Sequence, residues 1–199
     1  MSIVIHEVAH GFMAEYFGDK TARFAGRLTL NPLKHLDLFG SILLPAVLFF
    51  SHAPFLFGWA KPVPYNPENL SNKKWGTLAV ASAGILANVS IAIIFGIIIR
   101  LAPSLGFPVY NFISPHPFYV ITFIIVLINL ALALFNLVPI PPLDGSKILF
   151  SFLPASASSF IFKYEQYSLI ILLIFIVYFS DYLAPILAFL FHFLTGLAF

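Results

Sequence analysis

Cysteine is absent from the 199 residues, so no disulfide, thiol nucleophile or thiolate metal site can form. Any metal must be held by His, Asp or Glu. Charge is scarce as well: Asp, Glu, Lys and Arg make up 9% of the chain, against roughly 25% in an ordinary soluble domain. Ten Lys and Arg against eight Asp and Glu leave a net charge of +2. No basic run is long enough to track a phosphate backbone, which argues against a nucleic-acid partner. A cleavable signal is not visible either, since Met1 to Ile5 lacks a basic start and His6 and Glu7 interrupt the apolar run. What the chain has in excess is apolar: 60% hydrophobic residues, 24 of them Phe, with a mean hydropathy of +0.98. That excludes a soluble globular domain and indicates several membrane spans.

Residues 77–101 and 118–138 contain uncharged runs longer than the roughly 20 residues needed to cross hydrocarbon, and are expected to span. The region 168–198 is interrupted by Asp181, Pro185 and His192, and reads as one long kinked span or a tight pair. Residues 1–17 read as helix. Pro45, His52 and Pro54 break a simple crossing over 39–57, which reads as a re-entrant dip or short span. Seven cations, Lys20, Arg23, Arg27, Lys34, Lys61, Lys73 and Lys74, precede Trp75, whereas the loop 101–117 has no Lys or Arg. This bias puts the first region in the cytoplasm and the second outside, with Asp144, Lys147 and Lys163 on the cytoplasmic side. Two Pro-ended segments, 26–32 and 59–64, read as extended pieces that could pair as a small sheet. Only five residues, about 7.5 Å of helix, precede His6. The first membrane helix is therefore expected to be truncated, with the native chain starting upstream of Met1.

His6-Glu7-Val8-Ala9-His10 puts two imidazoles at i and i+4 on one helical face, where both can bind one Zn²⁺ while Glu7 serves as base. A tetrahedral site needs a third protein ligand. The soluble metalloprotease patterns do not supply it: Met13 and Tyr16 stand where one requires Gly and His, and no Glu occurs between Glu15 and Glu68. Asp144 lies at the end of a span in the string Asn136-Leu137-Val138-Pro139-Ile140-Pro141-Pro142-Leu143-Asp144-Gly145. A carboxylate near hydrocarbon is expensive unless paired or metal-bound, which makes it a ligand candidate. The alternative is that it only turns the backbone before Gly145.

The two strings together resemble the site-2 protease family of intramembrane zinc metalloproteases, in which H-E-x-x-H on one membrane helix is paired with N-x-x-P-x-P-x-L-D-G on a later one. Residues 6–19, 26–32, 57–67 and 136–145 are similar to the compact subgroup without a PDZ domain. The resemblance implies that His6, His10 and Asp144 bind one zinc per chain and that Glu7 is the base. It also implies a substrate-positioning role for Asn88, in Gly84-Ile85-Leu86-Ala87-Asn88, where the family's G-P-x-x-N has Pro in place of Ile85. The alternative for Asn88 is an interhelical hydrogen bond beside Ala79, Ala83 and Ala87.

The expected architecture is a single all-α polytopic domain over 1–199, with about four to six membrane helices around an intramembrane zinc site and a small β-hairpin-like or re-entrant element. The expected activity is zinc-dependent cleavage of membrane segments of substrate proteins, as in regulated intramembrane proteolysis. The partners implied are a substrate with a transmembrane segment and the lipid bilayer, in the plasma membrane with the site toward the cytoplasm. Two other classes are a metal-binding or ion-translocating protein, for which repeats or opposed broken helices are missing, and an inactive homologue that binds membrane segments, against which the intact Glu7 argues. Lys147 reads as a snorkelling lysine, His35, His52, His116 and His192 as interfacial or structural, and Trp59, Trp75, Tyr65 and Tyr110 as interfacial aromatics.

Overall fold

In hydrocarbon a backbone can bond only to itself, so an uncharged run becomes helix. Residues Lys73–Leu101 form α4, 29 residues long, about 43 Å at 1.5 Å per residue. Pro117–Leu137 form α5, 21 residues, started by Pro117 in the first turn and by the His116 side chain, which accepts from the Phe118 N–H. Both are long and apolar enough to cross a membrane, and a third candidate exists if Ser159–Gln166 and Ser168–Phe179, bent by 60°, count as one span. The chain is an all-α membrane protein. The computed structural model describes residues 1–52, 58–108, 110 and 116–197, so parts of the expected dip (53–57) and of the expected external loop (109 and 111–115), and the end of the last expected span (198), lie outside the described residues. The chain divides into two compact units, Ile3–Gly84 with Met1, and Ile85–Phe199 with Ser2.

The first unit begins with α1, Ser2–Tyr16, which buries Val4, His6, Val8, His10, Gly11 and Ala14. Gly18 turns the chain with φ +104, a conformation that costs other residues a Cβ clash. Asp19 follows, fully buried, and then the short helix α2, Thr21–Phe24. A buried carboxylate must be hydrogen-bonded, and Asp19 accepts from the Thr21 N–H at 3.1 Å, the Thr21 hydroxyl at 2.5 Å, the Asn66 N–H at 2.6 Å and the Asn69 amide at 2.9 Å. It thereby ties residues 66–69 to the end of α1. Ala14, Leu70 and Val80 pack beside it with Met13, Phe17 and Tyr65.

The expected dip starts as a π-turn, Leu38–Leu43, capped by Asp37, and continues as α3, Leu44–Phe50. Pro45 lies where the π-turn passes directly into α3, inside one continuous helical run, Leu38–Phe50. Lacking an N–H, it cannot supply a ladder bond to the preceding turn, yet the run stays helical through it. The Trp59 ring lies against Gly40, where a Cβ would collide with it, and the Trp59 N–H donates to the Gly40 carbonyl at 3.1 Å. Segments 26–32 and 59–64 do not form a sheet, and no strand occurs among the described residues. They are joined instead by Arg27, which donates to the carbonyls of Lys61 at 2.7 Å and Pro62 at 3.3 Å. Pro62 and Pro64 have no N–H, so a regular ladder cannot form along this run.

In the second unit Ala92, Ile99 and Ala102 pack with Tyr119, Val126, Leu130 and Phe191. The described part of the last expected span, 168–197, is not one helix: α8, Ser168–Phe179, and α9, Leu183–Thr195, are separated by a 3-10 turn at Ser180–Tyr182. Preceding them are α6, Asp144–Phe152, and α7, Ser158–Gln166. Gly96 lets α9 approach, since a Cβ there would stand 3.0 Å from the Leu194 Cβ. Arg100 caps α9 by donating to the Leu194 carbonyl at 2.7 Å and to the Phe193 carbonyl.

Burial pushes the Asp19 carboxyl up, but the hydrogen bonds from Thr21, Asn69 and Asn66 outweigh it and hold the group below the usual carboxylate range. Its stabilisation is therefore complete above the unfolded-state value of about 3.9 and is lost as pH falls through the lower folded-state value. Asp19→Ala should cost about 2 kcal/mol at pH 7 by leaving donors unpaired. The gap in detergent unfolding midpoint between wild type and variant should be constant from pH 7 to about 5 and narrow below about 4.

Candidate metal centre

Helix α1 carries His6 and His10 one turn apart, and their rings meet edge to face with centroids 4.6 Å apart. Both are buried, at 5% and 8% exposure. The His10 Nδ1 lies 2.6 Å from the Val80 carbonyl. A carbonyl only accepts, so Nδ1 carries the proton and the acceptor lone pair is on Nε2, the nitrogen offered to a metal.

That contact reaches into the backbone of α4, which ordinarily lies beneath its side chains. In a helix the Cβ of residue i+4 leans back over the turn of residue i, so the position that would screen Val80 is 84. It is glycine. A Cβ at Gly84 would stand 2.6 Å from both the His10 Nε2 and the His6 Cε1. The missing side chain is the space in which the two imidazole edges converge. This cradle, the fixed tautomer and the nitrogen donors fit a borderline-soft divalent metal such as zinc.

Glu7, one residue on, is half-buried, and its Oε2 accepts from the Val63 N–H at 2.9 Å. Gly11, one turn further, makes room for Val63, since a Cβ there would stand 2.8 Å from the Val63 Cγ1 and 2.5 Å from the Leu28 Cδ2. Sequence reasoning missed this contact, although the run Pro62-Val63-Pro64 signals it: Val63 is the single donor in the three residues.

In the second unit Asp144 opens α6 and is 5% exposed. The Lys147 ammonium donates to its Oδ1 at 3.3 Å, so Lys147 is more than a snorkelling cation. A Cβ on Gly145 would collide with the Leu137 carbonyl and stand 2.5 Å from the Val138 oxygen. The end of α5 and the start of α6 can pass this closely only at glycine. Ile140 and Leu143 anchor the intervening turn against Leu172. Asn88 has no exposure, and its amide donates to the Asn129 Oδ1 at 2.7 Å, while Asn129 donates to the Ile125 carbonyl at 2.8 Å. An interhelical bond thus occupies the residue for which the resemblance implied substrate contact. His35 is buried and its Nε2 lies 2.9 Å from the Thr29 carbonyl, a structural use.

The model of Peptidase family M50 matches residues 1–179. The chain belongs to this family, the site-2 protease family that its two motifs resemble. A curated relative is "Putative zinc metalloprotease YwhC" of Bacillus subtilis, 36% identical over 176 residues, covering 87% of this chain and 75% of that protein. Another is "Putative zinc metalloprotease Rip2" of Mycolicibacterium smegmatis, 31% identical over 145 residues, covering 73% of this chain. The match spans about half, 51%, of that second relative's length. No solved structure matches the chain significantly.

Gly84→Ala leaves every candidate ligand in place yet fills the cradle. Zinc content of the purified protein, measured by elemental analysis against a titrated chelator, should show affinity lower by about 10- to 100-fold, the scale of an outer-shell lesion. Wild-type affinity in this variant would mean that the converging imidazole edges are not the metal face.

Proposed function

We propose that the protein is a zinc-dependent intramembrane endopeptidase that cleaves membrane segments of other proteins, with His6, His10 and Asp144 binding one zinc and Glu7 acting as base. The observation that carries this reading is the His10 Nδ1 contact with the Val80 carbonyl at 2.6 Å, which leaves the lone pair of the other ring nitrogen available beside His6. Family membership and the relatives' printed names support zinc and peptide hydrolysis. Two neutral imidazoles and one carboxylate make a three-ligand set that keeps a fourth position for water.

When bound, zinc supplies a Lewis acid that acidifies water and polarises a carbonyl. Glu7 takes the proton of the attacking water and delivers it to the leaving amine. The Val63 N–H holds the Glu7 carboxylate in a fixed rotamer without neutralising it. A transmembrane helix hides its carbonyls in its own hydrogen bonds, so the substrate unwinds locally before it is cut. Segment 59–64 is poorly equipped to receive it as an added strand. The N–H groups of Trp59 and Lys61 go to the carbonyls of Gly40 and His35, that of Val63 goes to Glu7, and two of the remaining positions are proline. The 26–31 rim is the better edge for β-addition. The excess of Lys and Arg before Trp75 supports an orientation with the site toward the cytoplasm, and the membrane proposed is the plasma membrane.

The test is cleavage of a panel of single-span substrates alongside metal analysis. Glu7→Gln should keep its zinc and lose about 10²- to 10⁴-fold in rate, while Asp144→Ala should lose zinc. Unchanged metal in the latter would move the third ligand to Asp37 or Glu68. Equal cleavage by Glu7→Gln would remove Glu7 as base, and metal binding without any hydrolysis would favour the ion-pathway class. Asn88→Ala should slow cleavage by about 10- to 100-fold with zinc retained if Asn88 acts on substrate. Full activity with lowered stability would assign it to its bond with Asn129.

A further inference from the structure

Residues 61–66 carry the chain past Glu7 as Lys61-Pro62-Val63-Pro64-Tyr65-Asn66. A strap of this composition has little means of holding itself. It forms no helix or ladder, and its two internal prolines remove donors while restricting φ. Its order must come from outside. On the N-terminal side the Arg27 guanidinium, 8% exposed, donates to the carbonyls of Lys61 at 2.7 Å and Pro62 at 3.3 Å. On the C-terminal side the Asn66 N–H donates to the Asp19 Oδ2 at 2.6 Å. Between these two anchors lies the Val63 N–H, 2.9 Å from the Glu7 Oε2.

Burying a guanidinium is costly unless its donors are met by acceptors, and the Arg27 Nε is buried with no hydrogen-bond partner. An Arg buried under that penalty, spending one terminal nitrogen on two successive carbonyls, suits a rigid planar head that sets a backbone orientation and not one that binds a counter-ion. The two carbonyls flank Pro62, and the second belongs to the Pro62–Val63 peptide. Fixing the Pro62 carbonyl fixes the plane of the peptide unit to which the Val63 N–H belongs, because the O=C–N–H unit is planar. The donor aimed at Glu7 and the acceptor taken by Arg27 are opposite ends of one rigid peptide group.

We infer that Arg27 is a positioning residue for the base: through the Pro62–Val63 peptide plane it aims the Val63 N–H at Glu7 and so fixes the Glu7 carboxylate for proton transfer. The inference rests on Glu7 being the base, but its structural half stands apart from activity and can be tested apart from it.

The first measurement is hydrogen exchange in the metal-free protein, followed by mass spectrometry on a peptide covering 61–66, in which only Lys61, Val63, Tyr65 and Asn66 have an exchangeable backbone amide after residue-level fragmentation. Val63 should be protected in wild type and should exchange about tenfold faster in both Arg27→Ala and Glu7→Ala, with Arg27→Lys in between because a flexible ammonium lacks the fixed N–H directions of the planar guanidinium. Undiminished Val63 protection in Arg27→Ala, with the protein still folded, would overturn the inference. The second measurement is kinetic. Arg27→Ala should lower kcat about tenfold with KM and zinc content unchanged, and Arg27→Lys should recover part of it. The double variant of Arg27→Ala and Val63→Pro should be no slower than Val63→Pro alone, since both remove the same aim. Multiplied effects, or a change confined to KM, would also overturn it. Should Glu7→Gln cleave as wild type does, the functional reading fails by itself, and the exchange data still decide whether Arg27 orients Val63.

Discussion

Everything in the first unit depends on one requirement: a polar group taken out of water must find its partner within the protein. In a chain with so few charged residues, the partners of buried side chains are chiefly backbone groups. His10 reaches the Val80 carbonyl in the middle of a helix, and it can do so because the residue one turn later is glycine. The order of causes runs from there. Gly84 opens the α4 backbone, the carbonyl fixes the His10 tautomer, and the tautomer decides which nitrogen a metal meets. A methyl group at one position of α4 would therefore be felt at two side chains of α1 before it altered any helix.

What was legible in the sequence is what is local. His6, Glu7 and His10 lie within one helical turn, so the periodicity of α1 alone places them together. The spans α4 and α5 were legible because a run without charge has no alternative in hydrocarbon. Asp144 stood out as a carboxylate at the end of such a run, and the structure finds it buried at the first turn of α6. Asp19 was passed over, although it is the most heavily bonded carboxylate of the first unit, because its partners Asn66 and Asn69 are 47 and 50 residues away. Nothing in local pattern announces a contact at that separation.

Proline is the residue whose effect depends most on its position. Pro45 falls where the π-turn changes to α3 inside the continuous run Leu38–Phe50. Pro62 and Pro64 remove the donors that pairing of 59–64 would have needed. Proline is tolerated where a donor is already surplus, as in a first helical turn, and it forbids pairing where every second donor is required. Ser180–Tyr182 is a related case: α8 and α9 are separate helices, and Pro185, in the first turn of α9, forbids a helical bond to the carbonyl of Asp181 four residues back, inside the break.

Three of the buried or half-buried charges of the first unit are met by peptide groups. Asp19 takes N–H groups of Thr21 and Asn66, Arg27 takes two carbonyls, and Glu7 takes the N–H of Val63. The consequence differs from that of an ion pair. An ammonium beside Glu7 would hold the carboxylate in place but would also compete for it as a base, since opposite charge at a few ångströms stabilises the ionised form strongly in a poorly solvated site. A single amide dipole orients the group at far smaller electrostatic cost to proton uptake. Asp144, whose proposed task is to stay ionised, is the carboxylate given a lysine, Lys147 at 3.3 Å. The choice of partner, a dipole for the proposed base and a cation for the proposed ligand, suits the charge each of those proposed roles requires.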